Sequence, residues 1–177
     1  LGKPGCVTVV DPAMADGGKL YPAFDQAFVE QMKTLVFSAD VILPNITEAC
    51  LLTDTPYRET YDEGYIDGLL SAMRAAGAKT IVLTGVSYAQ DTTGVVVLDG
   101  DEKSYYRHRR ISRGSHGTGD VYASAFTGAY LRGIPAYDAA AVAAEYTVRC
   151  IENTIEDASH WYGVKFEPVL PELMEML

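Results

Sequence analysis

The 177-residue chain carries 14 Lys and Arg against 24 Asp and Glu, a formal net charge of −10, with 48% apolar and 21% charged residues. That length and apolar fraction suit one folded domain with a sizeable core and argue against a disordered chain. The acidic balance argues against general binding to nucleic acid or an anionic membrane surface, because nothing would offset phosphate repulsion. One small anionic ligand, held by backbone amides and a metal, remains compatible with it.

Cys6, Cys50 and Cys150 are odd in number and far apart, with no C-x-x-C, so they read as reduced, mostly buried thiols. No run approaches the roughly 18 apolar residues of a membrane span. No leader is visible at Leu1, so a cytoplasmic protein is the expectation.

In chain order, Val7-Thr8-Val9-Val10 is a β-branched run closed by Asp11-Pro12, the pattern of a buried strand with an acid at its carboxyl end. Asp16-Gly17-Gly18-Lys19 reads as a flexible turn. Phe24, Phe28, Met32 and Leu35 recur at helical spacing, which predicts an amphipathic helix over 24–37. Asp40 to Pro44 is a second strand, and a short helix begins near Thr47 and runs to Leu52. Ile66, Leu69, Leu70 and Met73 mark a helix over 61–76, closed at Gly77. Thr80 to Gly85 is a third buried strand. Gly94 to Leu98 and Ser104 to Arg110, joined by Asp99-Gly100-Asp101, form a hairpin. Gly117-Thr118-Gly119-Asp120 opens a helix of small residues that ends at Gly133. Pro135 starts an alanine-rich helix reaching about 157, and an aromatic tail from Trp161 leads to a last helix near 171–177.

Strands that are continuous apolar runs, alternating with helices, predict an α/β fold: a mostly parallel sheet covered by helices on both faces, with one antiparallel edge hairpin. Ligands of such sheets bind beyond the carboxyl ends of the strands. Asp11, Pro44-Asn45 and Thr84-Gly85 all fall there.

Two glycines at a helix start let the backbone approach a ligand, and successive amides there cradle an anion. Asp120 in that first turn either caps the helix or faces the ligand as a base. The segment is neither a Walker A loop nor a dinucleotide fingerprint. Asn45 and Glu48 stand three apart at a helix start. They are either oxygen ligands for a hard cation such as Mg²⁺ or the two halves of a capping box. Asp11 reads as functional; Asp16 reads equally well as a turn residue. Lys103, Arg107, Arg109, Arg110 and Arg113 are either a solvated hairpin face or a positive rim for polyphosphate. His108, His116 and His160 lack metal-ligand spacing, and Tyr105, Tyr106, Tyr122, Trp161 and Tyr162 read as packing residues.

In order, the segments Asp11-Pro-Ala-Met-Ala-Asp16-Gly-Gly-Lys-Leu-Tyr21, Ala39-Asp-Val-Ile-Leu-Pro-Asn45-Ile-Thr-Glu48-Ala, Val82-Leu-Thr84-Gly85 and His116-Gly-Thr-Gly-Asp120-Val-Tyr-Ala-Ser124 resemble the ribokinase-like superfamily, and within it the pyridoxal kinases. The tail Trp161-Tyr-Gly-Val-Lys-Phe-Glu167 resembles the family's C-terminal segment. Ala15 departs from the pattern, where the family usually has Gly. The family's N-terminal portion, which supplies much of the vitamer pocket and dimer contacts, is absent. Residues 1–177 are therefore expected to form one α/β kinase domain resembling the family's C-terminal, nucleotide-binding part.

The resemblance implies ATP-dependent phosphorylation of the 5′-hydroxyl of pyridoxal, pyridoxine or pyridoxamine. Asp120 would be the base, and the amides of Gly117, Thr118 and Gly119 would form the anion hole. Asp11, Asn45, Glu48, Thr84, Arg107 and His108 would bind ATP, and Glu48, Asp11 and Asn45 would hold Mg²⁺. It also implies a homodimer in the full-length enzyme. The alternatives are a hydroxymethylpyrimidine or hydroxymethylpyrimidine-phosphate kinase, which usually has Cys where Asp120 stands, a sugar kinase of the superfamily, and a non-catalytic ATP-binding fragment.

Overall fold

The computed structural model describes residues 3, 5–111, 116–155, 157, 160 and 162–177; Leu1, Arg113 and Trp161 lie outside the described residues. In chain order, β1 (Val9–Val10) leads into a small hairpin of β2 (Ala15–Asp16) and β3 (Lys19–Leu20). Then come α1 (Gln26–Val36), β4 (Val41–Ile42), α2 (Ile46–Leu52), α3 (Glu63–Ala75) and β5 (Thr80–Val86). A long hairpin follows, β6 (Thr92–Asp99) and β7 (Glu102–Arg109), and after it α4 (Thr118–Leu131), α5 (Ala136–Thr154), a 3-10 turn (Glu167–Val169) and α6 (Leu170–Met176).

The main sheet has the order β1-β4-β5-β6-β7. β1 pairs with β4, and β4 with β5, in parallel; β6 joins β5 and β7 joins β6 antiparallel. The expected α/β sheet with an antiparallel hairpin at its edge is therefore present. The Asp16–Lys19 turn is more ordered than its composition implies: it is the tip of β2–β3, with Asp16 facing Lys19 across the pair.

Alternation along the strands divides the core in two. Ile42, Ile81 and Leu83 point to one face and pack with Val29, Ile66, Leu69 and Met73 of α1 and α3. Val41, Leu43 and Val82 point to the other and pack with Phe126, Ala129, Ala139 and Ala143 of α4 and α5. Small residues let these two helices lie close, and the Tyr122 hydroxyl donates to Ala140 O at 3.4 Å between them.

Side-chain caps set the helix starts. Asp25 accepts from Phe28 N at 2.9 Å and Asp62 from Tyr65 N at 2.9 Å, which satisfies first-turn amides that have no partner inside the helix. α3 stops where Gly77 turns to φ +111, with Gly77 N donating to Arg74 O and Ala78 N to Met73 O, so the glycine stands one residue past the cap proper. α5 ends at Thr154, earlier than expected, and the following chain doubles back on it. Lys165 N donates to Thr154 Oγ1 at 2.7 Å, the Tyr146 hydroxyl to Phe166 O at 3.0 Å, and Arg149 pairs with Glu172 of α6.

The carboxyl ends of the parallel strands meet at one edge. Thr84 N donates to Pro44 O at 2.9 Å, bringing the end of β5 against the turn after β4, while Leu43 N donates to Val10 O at 2.9 Å beside the end of β1. No described helix is long and apolar enough to cross a membrane. The cysteines are free, with Cys50 and Cys150 buried and Cys6 exposed.

Gly94 lies opposite Arg107 in the long hairpin, where a Cβ would stand 2.0 Å from Tyr106 O and 3.0 Å from Arg107 Cα. Both are backbone atoms and cannot step aside. Gly94→Ala is therefore expected to cost about 3 kcal/mol through forced backbone displacement, read as a lower midpoint in urea unfolding. An unchanged midpoint would show that the two strands are not held this close.

Candidate active site

A cavity of about 650 Å³ opens beyond the carboxyl ends of β1, β4 and β5, between them and the first turn of α4. Asp11, Asn45, Glu48, Thr84, His108, Gly117, Thr118, Gly119 and Asp120 all line it. Arg107 does not. It alternates with Tyr106 and His108 along β7, so it points to the opposite side of the hairpin and is solvent-exposed. The positive-rim reading is corrected with it for the described part of the basic run, Arg113 lying outside the described residues. Lys103 is held at the far end by Glu63 and Asp67 of α3, and Arg109 pairs with Glu152. The cavity-lining residues include neither Lys nor Arg among those described.

At the α4 end, Gly117 takes φ +77 as the cap residue, a conformation that disfavours side chains, and contributes no side-chain bond to close the helix. A Cβ at Gly119 would meet nothing within 4 Å, so the first turn faces open space. Asp120 follows in that same turn, exposed to the cavity. Behind the loop, Gly163 of the C-terminal segment lies close enough that a Cβ on Gly117 would touch its Cα at 3.9 Å.

Across the cavity, Asn45 and Glu48 form a full capping box on α2. Asn45 Oδ1 accepts from Glu48 N at 2.9 Å, and Glu48 Oε2 accepts from Asn45 N at 2.9 Å. The capping alternative is thus realised, and the same residues still border the cavity. Glu48 reaches further: its Oε1 accepts from Met14 N at 2.8 Å and Ala15 N at 3.4 Å. Asn45 Nδ2 donates to Ala15 O at 2.8 Å. One short helical turn therefore grips the strand that leaves β1.

Glu48 is 2% exposed, and burial lifts its pKa from 4.5 to about 7 despite the three amides that favour the anion; nearby Asp11 adds to the rise. Asp11 is also raised, first by burial and then by the charge of Asp120, against a stabilising bond from Ala13 N. Ala13 itself takes φ +42, a strained conformation for a residue with a Cβ, between Asp11 and the hairpin. Asp11, Asp16, Glu48 and Asp120 all line this cavity with Tyr21, whose pKa is raised by partial burial and by these four carboxylates.

Buried and mutually repelling carboxylates beside an amide cradle suit a hard divalent cation, which would lower their pKa values and bridge them to an anion. Among the described residues no cluster of three or more His, Cys, Asp or Glu could hold a metal ion. Asp11, Glu48 and Asn45 would therefore hold Mg²⁺ only together with water or ligand oxygens. Asn45 Oδ1 already accepts one bond, so a metal contact there must use its second lone pair.

Sequence reasoning missed the wall opposite the strand ends. Val95 of β6 and Ala144, Thr147, Val148 and Ile151 of α5 line it, forming a largely apolar slot. These residues read as ordinary core positions, and nothing in their spacing separates a cavity wall from a packed face. Tyr21 was given no role beyond closing a matching segment; the hint was its place just past the hairpin that follows the Gly17-Gly18 turn.

A family model described as phosphomethylpyrimidine kinase matches residues 1–164. A pyridoxine kinase from Bacillus subtilis is 30% identical over 82% of this chain and 54% of its own length. A hydroxymethylpyrimidine/phosphomethylpyrimidine kinase from Haemophilus influenzae is 27% identical over 90% of this chain and 62% of its own. Among solved structures, a pyridoxal kinase from Lactobacillus plantarum superposes with a TM-score of 0.86 at 35% identity, over 96% of this chain and 62% of that one. The chain thus spans about half to three-fifths of the length of the proteins it matches.

Because the folded pKa of Glu48 lies above its unfolded value, its contribution to stability is fully present below pH 4.5 and is lost as pH rises through about 7. Glu48→Gln removes that titration. Urea unfolding at pH 5 and pH 8 is expected to show wild type losing more stability than the variant across this interval, by up to about 3 kcal/mol. Millimolar Mg²⁺ is expected to shrink the difference, and identical pH slopes in the two proteins would rule out the raised carboxylate.

Proposed function

The chain belongs to the phosphomethylpyrimidine kinase family, and from that premise we propose that it carries the phosphoryl-transfer site of a pyridoxal kinase. The reaction moves the γ-phosphoryl group of ATP to the 5′-hydroxyl of pyridoxal, pyridoxine or pyridoxamine. The observation that supports it most is the placement of Asp120 in the glycine-capped first turn of α4, across one cavity from Asp11 and Glu48.

In this reading the Asp120 carboxylate accepts the proton of the acceptor's hydroxyl as the oxygen attacks phosphorus. The first-turn amides of α4, from Gly117 through Gly119, stabilise the charge on the transferring group, aided by the positive end of the helix dipole. Thr84, on the bulged end of β5, stands beside the phosphates. The apolar slot of Val95, Ala144, Val148 and Ile151, with His108 at its rim, accommodates the nucleotide base. Bound Mg²⁺ would supply charge neutralisation on the phosphate oxygens. Asp11 and Glu48 would hold that cation, and α2 keeps Glu48 in place through its capping box. Transfer of this kind needs positioning and electrostatics rather than a covalent nucleophile.

A second reading has support of its own: phosphorylation of hydroxymethylpyrimidine or its phosphate, the activity for which the H. influenzae relative and the matching family are named. The L. plantarum and B. subtilis likenesses favour the vitamer instead. The chain acting only as an ATP-binding piece is the third.

Initial rates with pyridoxal, hydroxymethylpyrimidine and ribose at equal concentration decide among these. The vitamer is expected to react fastest; a preference for hydroxymethylpyrimidine would move the assignment to the second reading. No turnover together with measurable ATP binding would move it to the third. Asp120→Asn is expected to lower kcat by about 10³-fold while ATP affinity changes by less than about threefold. A variant that kept most of its turnover would remove Asp120 from the base role.

A further inference from the structure

The proposed mechanism uses Asn45 and Glu48 of the α2 turn but leaves Thr47 between them without a task. Thr47 is 4% exposed and does not line the cavity. Its hydroxyl oxygen accepts a hydrogen bond from Gly18 N at 3.0 Å, across 29 residues of sequence. Gly18 is the tip of the β2–β3 hairpin, which carries Asp16 on one side and runs into Tyr21 on the other; both of these residues line the cavity.

The tip is held from two directions. Gly18 takes φ +78, and a Cβ there would stand 2.6 Å from the Tyr57 ring, so the chain passes flat between Thr47 and Tyr57. The base of the hairpin is fixed separately, by Glu48 on the amides of Met14 and Ala15 and by Asn45 on Ala15 O. Gripped only at its base, a two-residue-per-strand hairpin would pivot, because isolated pairs this short are barely stable. The Thr47 bond removes that freedom.

We propose that Thr47 is a positioning residue: with Gly18 and Tyr57 it forms a latch that holds the β2–β3 hairpin against α2 and so sets where Asp16 and Tyr21 stand in the nucleotide cavity. The nucleotide half of this proposal rests on the functional reading above; the latch itself does not.

Thr47→Val keeps the shape of the side chain and removes the acceptor, whereas Thr47→Ser keeps the acceptor and removes a methyl group. Two measurements on the whole chain separate the claims. Without ligand, amide hydrogen exchange at Gly18 is expected to quicken by about tenfold in Thr47→Val and to stay within about twofold of wild type in Thr47→Ser. By titration calorimetry with ATP and Mg²⁺, the valine variant is expected to bind about three- to tenfold more weakly, with serine restoring affinity. Unchanged Gly18 exchange in the valine variant overturns the latch. Faster exchange with unchanged ATP affinity overturns the positioning role, and equal losses in both variants would make Thr47 a packing residue only. A wild-type chain that binds no ATP overturns the functional reading and the nucleotide half with it, and Gly18 exchange then decides the latch alone.

Discussion

The buried carboxylate of Glu48 is the point on which the site's geometry turns. An ionisable group this enclosed is tolerated only when its oxygens are satisfied, and here three backbone amides from two separate strand ends do so. Met14 and Ala15 follow β1, and Asn45 follows β4, so one side chain ties the exits of two adjacent parallel strands together. Between β1 and the tied Met14 lie Asp11 and the strained Ala13, and the β2–β3 hairpin starts at the tied Ala15. Replacing the carboxylate by an apolar group would leave those amides without partners, and the strand exits would lose their common reference.

The same placement creates an electrostatic tension that the fold does not relieve internally. Asp11, Asp16, Glu48 and Asp120 face one cavity, and the basic residues of the long hairpin are turned elsewhere or tied to carboxylates of α3 and α5. The favourable field for an anion comes instead from the N-terminal end of α4, where aligned peptide dipoles and unblocked space coincide. A cavity with a carboxylate wall and an amide wall is suited to a ligand that brings both signs. A metal-bound polyphosphate meets that description, and a free anion or a lone cation meets only half of it. On the proposed reading, an acidic protein handles an anionic nucleotide with no Lys or Arg among the described residues that line the cavity.

How much of this was readable before folding follows from the range of each signal. The order of strands and helices, the capping box of Asn45 and Glu48, the glycine-capped start of α4 and the meeting of Asp11, Asn45 and Thr84 at strand ends all rest on local periodicity or on the topology of α/β sheets. The β2–β3 hairpin was seen only as a turn, because strands of two residues are too short to show alternation. Arg107 was drawn to the site by its charge, but strand parity, which depends on the register with β6, turned it away. The partners of Lys103 lie 36 and 40 residues earlier on another element, a distance over which charge patterning carries no information. The slot on α5 was invisible for the opposite reason: alanine, valine and isoleucine look the same whether they meet another side chain or an empty space.

The likeness to kinases of two different acceptors has a chemical basis in the part of the site this chain provides. Pyridoxal-type vitamers and hydroxymethylpyrimidine both present a hydroxymethyl group on a nitrogen heteroaromatic ring. In the proposed mechanism a carboxylate base, an amide cradle and a cation site would act on the –CH₂OH and on the phosphates, and neither differs between the two substrates. Discrimination must therefore come from contacts to the ring and its substituents and from the residue at position 120, where the resemblance sets Asp against the Cys usual in hydroxymethylpyrimidine kinases. On the proposed reading, the amide cradle and the cation site can stay the same while the acceptor changes, and the residue at position 120, together with those that read the ring, separates the two activities.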